Sequence, residues 1–227
     1  MIDEQKKYFL EQMGIELWQY RKAVDTIDKP KLPLIETPLL DSNDAWNKLE
    51  NDVKACTRCE LYKTRKNSVL GSGNQQAKLM IIGEAPGASE DQQGLPFVGR
   101  AGQLLTAMLQ AIGIKREDIY ITNILKSRPP NNRDPRVDEV TACTPFLLQQ
   151  LELVSPKLIL ALGRISAHFL LKTDTSLGNL RGRFFEYEYK KTPLLATYHP
   201  AYLLRRPQDK RNAYSDLLLV AKKLAEI

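Results

Sequence analysis

From residue 77 onwards, short apolar runs alternate with longer stretches in which apolar residues recur at helical spacing, and this alternation limits the possible folds. The short runs lie at residues 79–82, 119–124, 158–162 and 194–197, and the helical stretches at 104–112, 146–153, 167–171 and 217–224. Because the short runs are mostly apolar without polar alternation, they are typical of strands buried on both faces of a parallel sheet. The sequence therefore predicts one α/β domain of three layers, in which helices flank a central, mainly parallel sheet.

The composition limits the class of protein. Three cysteines among 227 residues are too few, and odd in number, for a disulfide framework, and a chain of this length buries a core that needs none. The sequence has no run of about 18 apolar residues and no apolar segment after Met1, so we expect a cytoplasmic protein without membrane contact. A net charge of +6 is compatible with a polyanion partner, although many basic proteins have none.

The first 42 residues differ from the rest of the chain. Apolar residues recur near helical spacing at 2–27, and three prolines between residues 29 and 38 disfavour a regular helix there. A helix through Trp46, Leu49 and Val53 is predicted to end near the first cysteines. We therefore divide the chain into an N-terminal helical extension with a proline-rich linker, residues 1–42, and a main domain, residues 43–227.

Cys56 and Cys59 form a C-x2-C pair, and Cys143 lies far downstream near a predicted helix start. Two intervening residues let one turn of backbone direct both sulfurs to a common centre, so these cysteines are candidate ligands of a metal or an iron–sulfur cluster. Three thiolates leave a tetrahedral metal or a four-iron cluster one ligand short. The alternative is a redox pair with a separate buried thiol, and the spacing alone favours neither.

Glycine-rich loops follow the first predicted strand. The segment G-E-A-P-G at 83–87 comes directly after that strand, and a second glycine-rich stretch at 94–102 leads into the next helix. Open α/β sheets bind ligands at the carboxyl ends of their strands, and glycine lets the backbone approach a ligand closely. A phosphate loop or an ordinary tight turn is the alternative, but neither the Walker lysine nor the dinucleotide fingerprint is present.

Polar residues also follow the later strands. Asn123 ends the second apolar run, where its amide could read a base edge or simply cap the next turn. The basic loop 126–133 after it suits contact with a nucleic-acid backbone. His168 falls in a predicted helix and is expected to be structural, whereas His199 precedes a proline that favours an extended backbone, as in a loop that presents its ring.

Taken together, these segments resemble the iron–sulfur uracil-DNA glycosylases, family 4 of the uracil-DNA glycosylase superfamily. The resemblance runs from about residue 56 to the C-terminus. It is carried by C-x2-C at 56–59, G-E-A-P-G at 83–87 with E-D at 90–91, P-F-V-G at 96–99, Y-I-T-N at 120–123, R-P-P at 128–130 with N-R at 132–133, Cys143, and H-P at 199–200 with L-L-R at 203–205. Seven matches in the same order make chance an unsatisfactory explanation.

The resemblance implies an enzyme that extrudes a uracil nucleotide from DNA into a pocket. Uracil would stack on Phe97, and Asn123 would accept a hydrogen bond from N3–H and donate one to O4. Gly83 and Ala85 would complete the substrate site. Because a flipped amide no longer matches uracil, the orientation of Asn123 decides the specificity.

The resemblance also assigns the chemistry. His199 would donate to uracil O2 as the glycosidic bond breaks. Glu84 and Glu90 are the remaining carboxylates, since Ala85 stands where some other branches carry an activating aspartate. Glu84 would lie in the pocket, and Glu90 would either position the attacking water or brace the loop. We therefore expect dissociative chemistry with weak general-base help. The DNA contacts would come from Arg128, Arg133, Leu203, Leu204 and Arg205, with the two leucines suited to a wedge between bases.

The sequence departs from the family at one cluster ligand. Members hold a [4Fe-4S] cluster with four cysteines, and the third of these is replaced here by Ser127, so only Cys56, Cys59 and Cys143 remain. Oxygen is a harder ligand than sulfur and suits a cluster poorly. Three alternatives stay open: Ser127 or another group binds the fourth iron, a three-iron cluster forms, or no cluster is bound.

Residues 8–21 lie outside this resemblance and are weakly similar to the clamp-loader-binding peptide of the bacterial polymerase III psi subunit. A clamp-loader contact is one hypothesis, and an amphipathic helix that packs on its own domain is the other.

Two functions are compatible with the whole sequence. The first is a monomeric DNA repair glycosylase that removes uracil and leaves an abasic site. The second is a non-catalytic nucleic-acid-binding or replication-associated protein that retains the glycosylase fold. The presence of Glu84, Phe97, Asn123 and His199 favours the enzyme, because a protein that only binds DNA has little need for all four.

Overall fold

The structure is a computed structural model, and it describes residues 42–227. Within these residues, six strands form one sheet in the order β1-β3-β2-β4-β6-β5. The strands are β1 (Ser72–Gly73), β2 (Leu79–Gly83), β3 (Tyr120–Asn123), β4 (Leu158–Leu162), β5 (Phe184–Tyr187) and β6 (Thr192–Thr197). The helices are α1 (Ser42–Ala55), α2 (Ala88–Gln93), α3 (Arg100–Gln110), α4 (Val137–Val154), α5 (Arg164–Leu171), α6 (Leu177–Leu180), α7 (Pro200–Arg205) and α8 (Lys210–Ala225).

The four central strands β3, β2, β4 and β6 are parallel, and the two edge strands are antiparallel to their neighbours. The four apolar runs in the sequence became these four central strands, which confirms the predicted α/β class. Every residue of β2 and β4 is buried, as expected for strands covered on both faces. The sequence did not predict β1, which has only two residues, or β5, which is partly exposed.

Alternate residues of each central strand point into two different apolar layers. Along β2, Leu79 and Ile81 join the cluster that includes residues of α3 and α8, whereas Met80 and Ile82 join the cluster that includes residues of α1, α4 and α5. The sheet therefore lies between two helical layers, which gives the predicted three-layer arrangement.

The strand order places the carboxyl end of β2 between those of β3 and β4. The chain leaves β2 towards β3 on one side, and β4 is added on the other side, so β2 lies at a point where the strand order reverses. Ligands of open α/β sheets bind at such a point, outside the carboxyl ends of the strands. The loops after β2, β3, β4 and β6 therefore meet at one edge of the sheet.

The N-terminal segment, its proline-rich linker and the motif at residues 8–21 lie outside the described residues. Within residues 42–227, no helix has the length and apolar character needed to cross a membrane.

Candidate active site

A cavity of about 410 Å³ opens at the carboxyl edge of the sheet. A cavity of this size suits a small ligand such as a nucleobase with its sugar. Eight of the residues singled out in the sequence line it: Glu84, Ala85, Glu90, Phe97, Asn123, Arg133, His199 and Arg205. They come from the loops after β2, β3 and β6, which the parallel sheet brings together.

Gly83 brings two of these side chains into close contact. It ends β2 and is in register with Asn123 at the end of β3. A Cβ atom at Gly83 would lie 2.3 Å from Asn123 Oδ1 and 2.7 Å from Phe97 Cζ. The amide and the ring therefore occupy the space that any larger residue at position 83 would need. Gly83 thus shapes the cavity wall by leaving room for these two groups.

The amide of Asn123 is buried, and its Oδ1 atom has no hydrogen-bond partner among the described residues. The backbone beneath it is fixed, because Lys126 Nζ donates to Asn123 O at 2.6 Å, to Thr122 Oγ1 at 2.7 Å and to Gln150 Oε1 at 2.6 Å. Burial lowers the pKa of Lys126 to about 7. A rigid strand end thus carries an acceptor that no described protein group uses.

The loop 126–133 was predicted to contact DNA, and the side chain of Lys126 does not fit that prediction. Its side chain is 1% exposed, and its ammonium faces the acceptors under Asn123. A run of basic and polar residues in the sequence does not reveal which of them turn inward. The structure therefore adds Lys126 as a residue that supports the strand end carrying Asn123.

Phe97 is held in an uncommon backbone conformation. Its φ of +52° lies in the left-handed region, which costs a residue other than glycine on the order of 1–3 kcal/mol. Glu90 stabilises the loop, since Oε1 accepts from the backbone N–H groups of Val98 and Gly99 at 2.9 Å each, and Oε2 accepts from Gly87 N at 3.1 Å. Arg116 donates to Pro96 O at 2.6 Å.

These contacts define what Glu90 does in the structure. Both of its carboxylate oxygens accept backbone hydrogen bonds that join the two glycine-rich loops. Of the two roles that the sequence left open for Glu90, bracing the loop therefore has direct geometric support.

His199 lines the cavity, and the backbone holds one of its ring nitrogens. Its backbone is extended, with φ −68° and ψ 137°, as the following proline predicted, and Nδ1 accepts from Ala201 N at 3.1 Å. Burial, together with Arg205, lowers the pKa of His199 to about 4, so the ring is neutral at neutral pH. Because Nδ1 is the acceptor, the proton of the neutral ring is on Nε2. The centroids of the His199 and Phe97 rings are 5.6 Å apart.

Glu84 is half-buried and lines the cavity, as Glu90 does. Burial raises its pKa to about 7, and nearby Asp134 adds to this while Arg164 opposes it. Glu84 therefore titrates in the neutral range.

His168 does not line the cavity. It bonds through Nε2 to Thr175 O at 2.8 Å, which fits the structural role expected for it.

Comparison with known proteins agrees with this geometry. Residues 70–219 match the family model described as the uracil DNA glycosylase superfamily. The chain is 44% identical over 190 residues to the type-4 uracil-DNA glycosylase of Archaeoglobus fulgidus, covering 81% of this chain and 94% of that protein. It is 46% identical to the type-4 enzymes of Pyrobaculum aerophilum, covering 76% of this chain and 91% of that one, and of Thermotoga maritima, covering 70% and 82%.

The chain belongs to the type-4 branch of the uracil-DNA glycosylase superfamily. The sequence motifs predicted this family, and the comparison confirms it.

The residues expected to contact DNA in this superfamily member are not equally available. Arg205 lines the cavity mouth, and Leu204 beside it is 38% exposed, but Leu203 is fully buried. The prediction that Leu203 forms part of a wedge is therefore wrong, because its side chain packs inward from the short helix α7. Sequence adjacency could not distinguish the inward leucine from the outward one.

The other two arginines have protein partners. Arg133 lines the cavity, and its guanidinium forms a salt bridge with buried Glu139, with one bond, Nη1 to Oε2, of 2.9 Å. Arg128 Nε donates to Asn132 Oδ1 at 2.8 Å. These bonds fix the loop that precedes α4, so both arginines are held at defined positions. Arg133 lines the cavity, and Arg128 does not.

The cysteines lie apart from the cavity, near the end of α1 and in α4. Cys56 and Cys59 follow α1, and Cys143 is buried in the second turn of α4. Burial raises the pKa of the Cys59 and Cys143 thiols. Without a bound metal both groups are therefore protonated thiols at neutral pH.

The residue that replaces the missing cysteine is already engaged. Ser127 is buried, and its Oγ accepts from Arg65 Nη1 at 2.9 Å, while Arg65 Nη2 donates to Lys54 O at 2.7 Å and Cys56 O at 3.1 Å. Among residues 42–227, no three or more histidine, cysteine or acidic side chains form a group that could hold a metal ion. This donor set does not fit the four-cysteine cluster that the resemblance implies.

Gly102 offers a test of how Phe97 is positioned. A Cβ at Gly102 would lie 1.8 Å from Phe97 O, so the Phe97 loop must shift in Gly102→Ala. We expect a loss of stability of about 1–3 kcal/mol, as for other overpacked sites, and a loss of activity on uracil-containing DNA. Thermal denaturation and a uracil-release assay measure the two effects.

Gly178→Ala is the matched control, because a Cβ there meets no atom within 4 Å. Equal activity of Gly102→Ala and Gly178→Ala would contradict the positioning of Phe97 by this contact.

Proposed function

We propose that the protein removes uracil from DNA by hydrolysing the N-glycosidic bond of an extruded nucleotide, leaving an abasic site. The observation that carries this proposal is the buried, unpartnered Oδ1 atom of Asn123. A buried acceptor without a partner costs about 1–3 kcal/mol, which a ligand with a matching N–H group recovers. Uracil has such a group at N3, whereas cytosine has a lone pair there.

Stacking supplies the second contact. The ring of Phe97 lies beside the Asn123 amide across Gly83, so a base that bonds to the amide also lies against the ring. Base–aromatic stacking is worth about 1–3 kcal/mol. Extrusion of a nucleotide costs a few kcal/mol, and these two contacts offset part of that cost.

The bond cleavage places opposite charges on the two fragments. The bonding electron pair leaves with uracil N1, water adds to the electron-poor sugar carbon, and the proton released by that water balances the charge of the uracil anion. The neutral His199 ring would donate from Nε2 to uracil O2 as the anion develops. Ionised Glu84 would stabilise the positive charge that develops on the sugar.

The Glu84 role sets a direction for the pH dependence. Since the pKa of Glu84 is about 7, the carboxylate form increases as the pH rises through that value, and the excision rate rises with it. His199 stays neutral over this range, because its pKa of about 4 lies well below it.

The function is tested by incubating the protein with a uracil-containing oligonucleotide and then with alkali. Strand scission at the uracil position, and none in a matched cytosine oligonucleotide, is the expected result. Binding without scission would instead favour the non-catalytic nucleic-acid-binding protein.

His199→Ala should lower the single-turnover rate by more than about tenfold, because the transition state loses a hydrogen-bond donor to uracil O2. Duplex affinity should stay nearly unchanged, since the extruded base is the only part of the DNA that the ring would contact. His168→Gln is the control, because a glutamine there can still bond to Thr175 O. A His199→Ala enzyme as fast as the control would remove this role.

We further propose that Ser127 leaves the iron–sulfur site incomplete, so that the chain holds fewer irons than a [4Fe-4S] cluster or none. The support is that Ser127 Oγ already accepts from Arg65 and that only three cysteines are present. The reaction requires no electron transfer, so no catalytic step depends on this site.

Iron content tests the incomplete site. Wild type and Ser127→Ala, purified anaerobically, should contain well under about four irons per chain, and Ser127→Cys should approach four, with absorbance near roughly 400 nm. About four irons in the Ser127→Ala variant would contradict the proposal.

The partner we propose is uracil-containing DNA, bound by a monomer. The sequence similarity at residues 8–21 further supports a clamp-loader contact as a separate hypothesis.

A further inference from the structure

Besides Glu84 and Glu90, a third acidic residue lines the cavity. Asp134, from the loop between β3 and α4, lines the same cavity, and its Oδ2 atom pairs with Arg164 Nη2 at 2.9 Å. Neither residue belongs to the motifs that carried the family resemblance. The mechanism described above uses neither of them.

The strand order gives this ion pair a defined position. Asp134 follows β3, Arg164 begins α5 directly after β4, and Glu84 follows β2, which lies between β3 and β4. The Asp134–Arg164 pair therefore joins the loop after β3 to the start of α5 after β4, and Asp134 lines the same cavity as Glu84. One negative and one positive charge are thus placed near the same carboxyl group.

We propose that Asp134 and Arg164 are positioning residues that together set the charge state of Glu84 and so fix the pH range in which uracil is excised. The inference rests on the proposed role of Glu84. It assigns opposite effects to the two residues: Asp134 favours the protonated form of Glu84, and Arg164 favours the ionised form.

We do not assign control of the Glu84 charge to the other charged groups around the cavity. Glu90 is bound to three backbone N–H groups, and Arg133 is paired with Glu139. His199 is neutral near pH 7, and Arg205 lies at the mouth next to it. The pKa of Glu84 is raised chiefly by burial, then by Asp134, and is lowered by Arg164.

The expected effects are modest because the pair is exposed. The side chains of Arg164 and Asp134 are 55% and 67% exposed, so solvent screens their fields. Through water, a unit charge about 6 Å away shifts the pKa of a neighbouring group by about half a pH unit. The shift should shrink as the ionic strength rises.

A direct test follows the Glu84 carboxyl by ¹³C NMR titration of the free protein, with Glu84→Gln identifying its signal by its absence. The midpoint should fall by about half a pH unit in Asp134→Asn, because a negative neighbour is lost, and rise in Arg164→Met. Asp138→Asn and Arg211→Met, exposed residues that do not line the cavity, should leave it unchanged.

The single-turnover excision rate as a function of pH is the second readout. Its acidic limb should move with the NMR midpoint, to lower pH in Asp134→Asn and to higher pH in Arg164→Met. Unchanged NMR midpoints in both variants would overturn the inference while leaving uracil excision and the role of Glu84 intact. Shifted midpoints with an unmoved rate profile would instead show that excision does not depend on the charge of Glu84, which overturns the proposed role of that residue and the inference with it.

Discussion

The register between β2 and β3 pairs Gly83 with Asn123, and the geometry of the site depends on this pairing. Because Gly83 has no side chain, the Asn123 amide and the Phe97 ring approach the end of β2 within the distance that a Cβ would occupy. Asn123, the proposed base-reading residue, therefore lies on a buried parallel strand rather than on a loop. Such a strand holds it more rigidly than a surface loop would.

The stacking ring needs a different kind of support, because it comes from a loop. Phe97 takes a left-handed backbone conformation that the surrounding contacts must stabilise. Glu90 supplies three hydrogen bonds to the neighbouring backbone, and Gly102 lets the carbonyl of Phe97 lie directly against α3. Because both oxygens of Glu90 are engaged in this structural task, the proposed electrostatic role is assigned to Glu84.

The sequence predicted the parts of the molecule that depend on local pattern. Apolar runs gave the four central strands, and polar residues after those runs gave Asn123 and His199 at one edge of the sheet. The sequence could not predict which residues in a mixed run turn inward, so Lys126 and Leu203 were misplaced. Asp134 and Arg164 were missed for a related reason, since their proximity arises from strand order and not from any spacing along the chain.

The electrostatics of the cavity follow from how each group is solvated. Burial keeps His199 neutral, and a neutral donor can stabilise a developing uracil anion without first binding a proton from solvent. Burial also moves the pKa of Glu84 towards neutrality, which weakens its field at the sugar below about pH 7. In the proposed mechanism, burial therefore assists the donation from His199 to uracil and limits the stabilisation of the sugar by Glu84. The Asp134–Arg164 ion pair can adjust that limit without a hydrogen bond to Glu84, because charge acts through space whereas hydrogen bonds require contact.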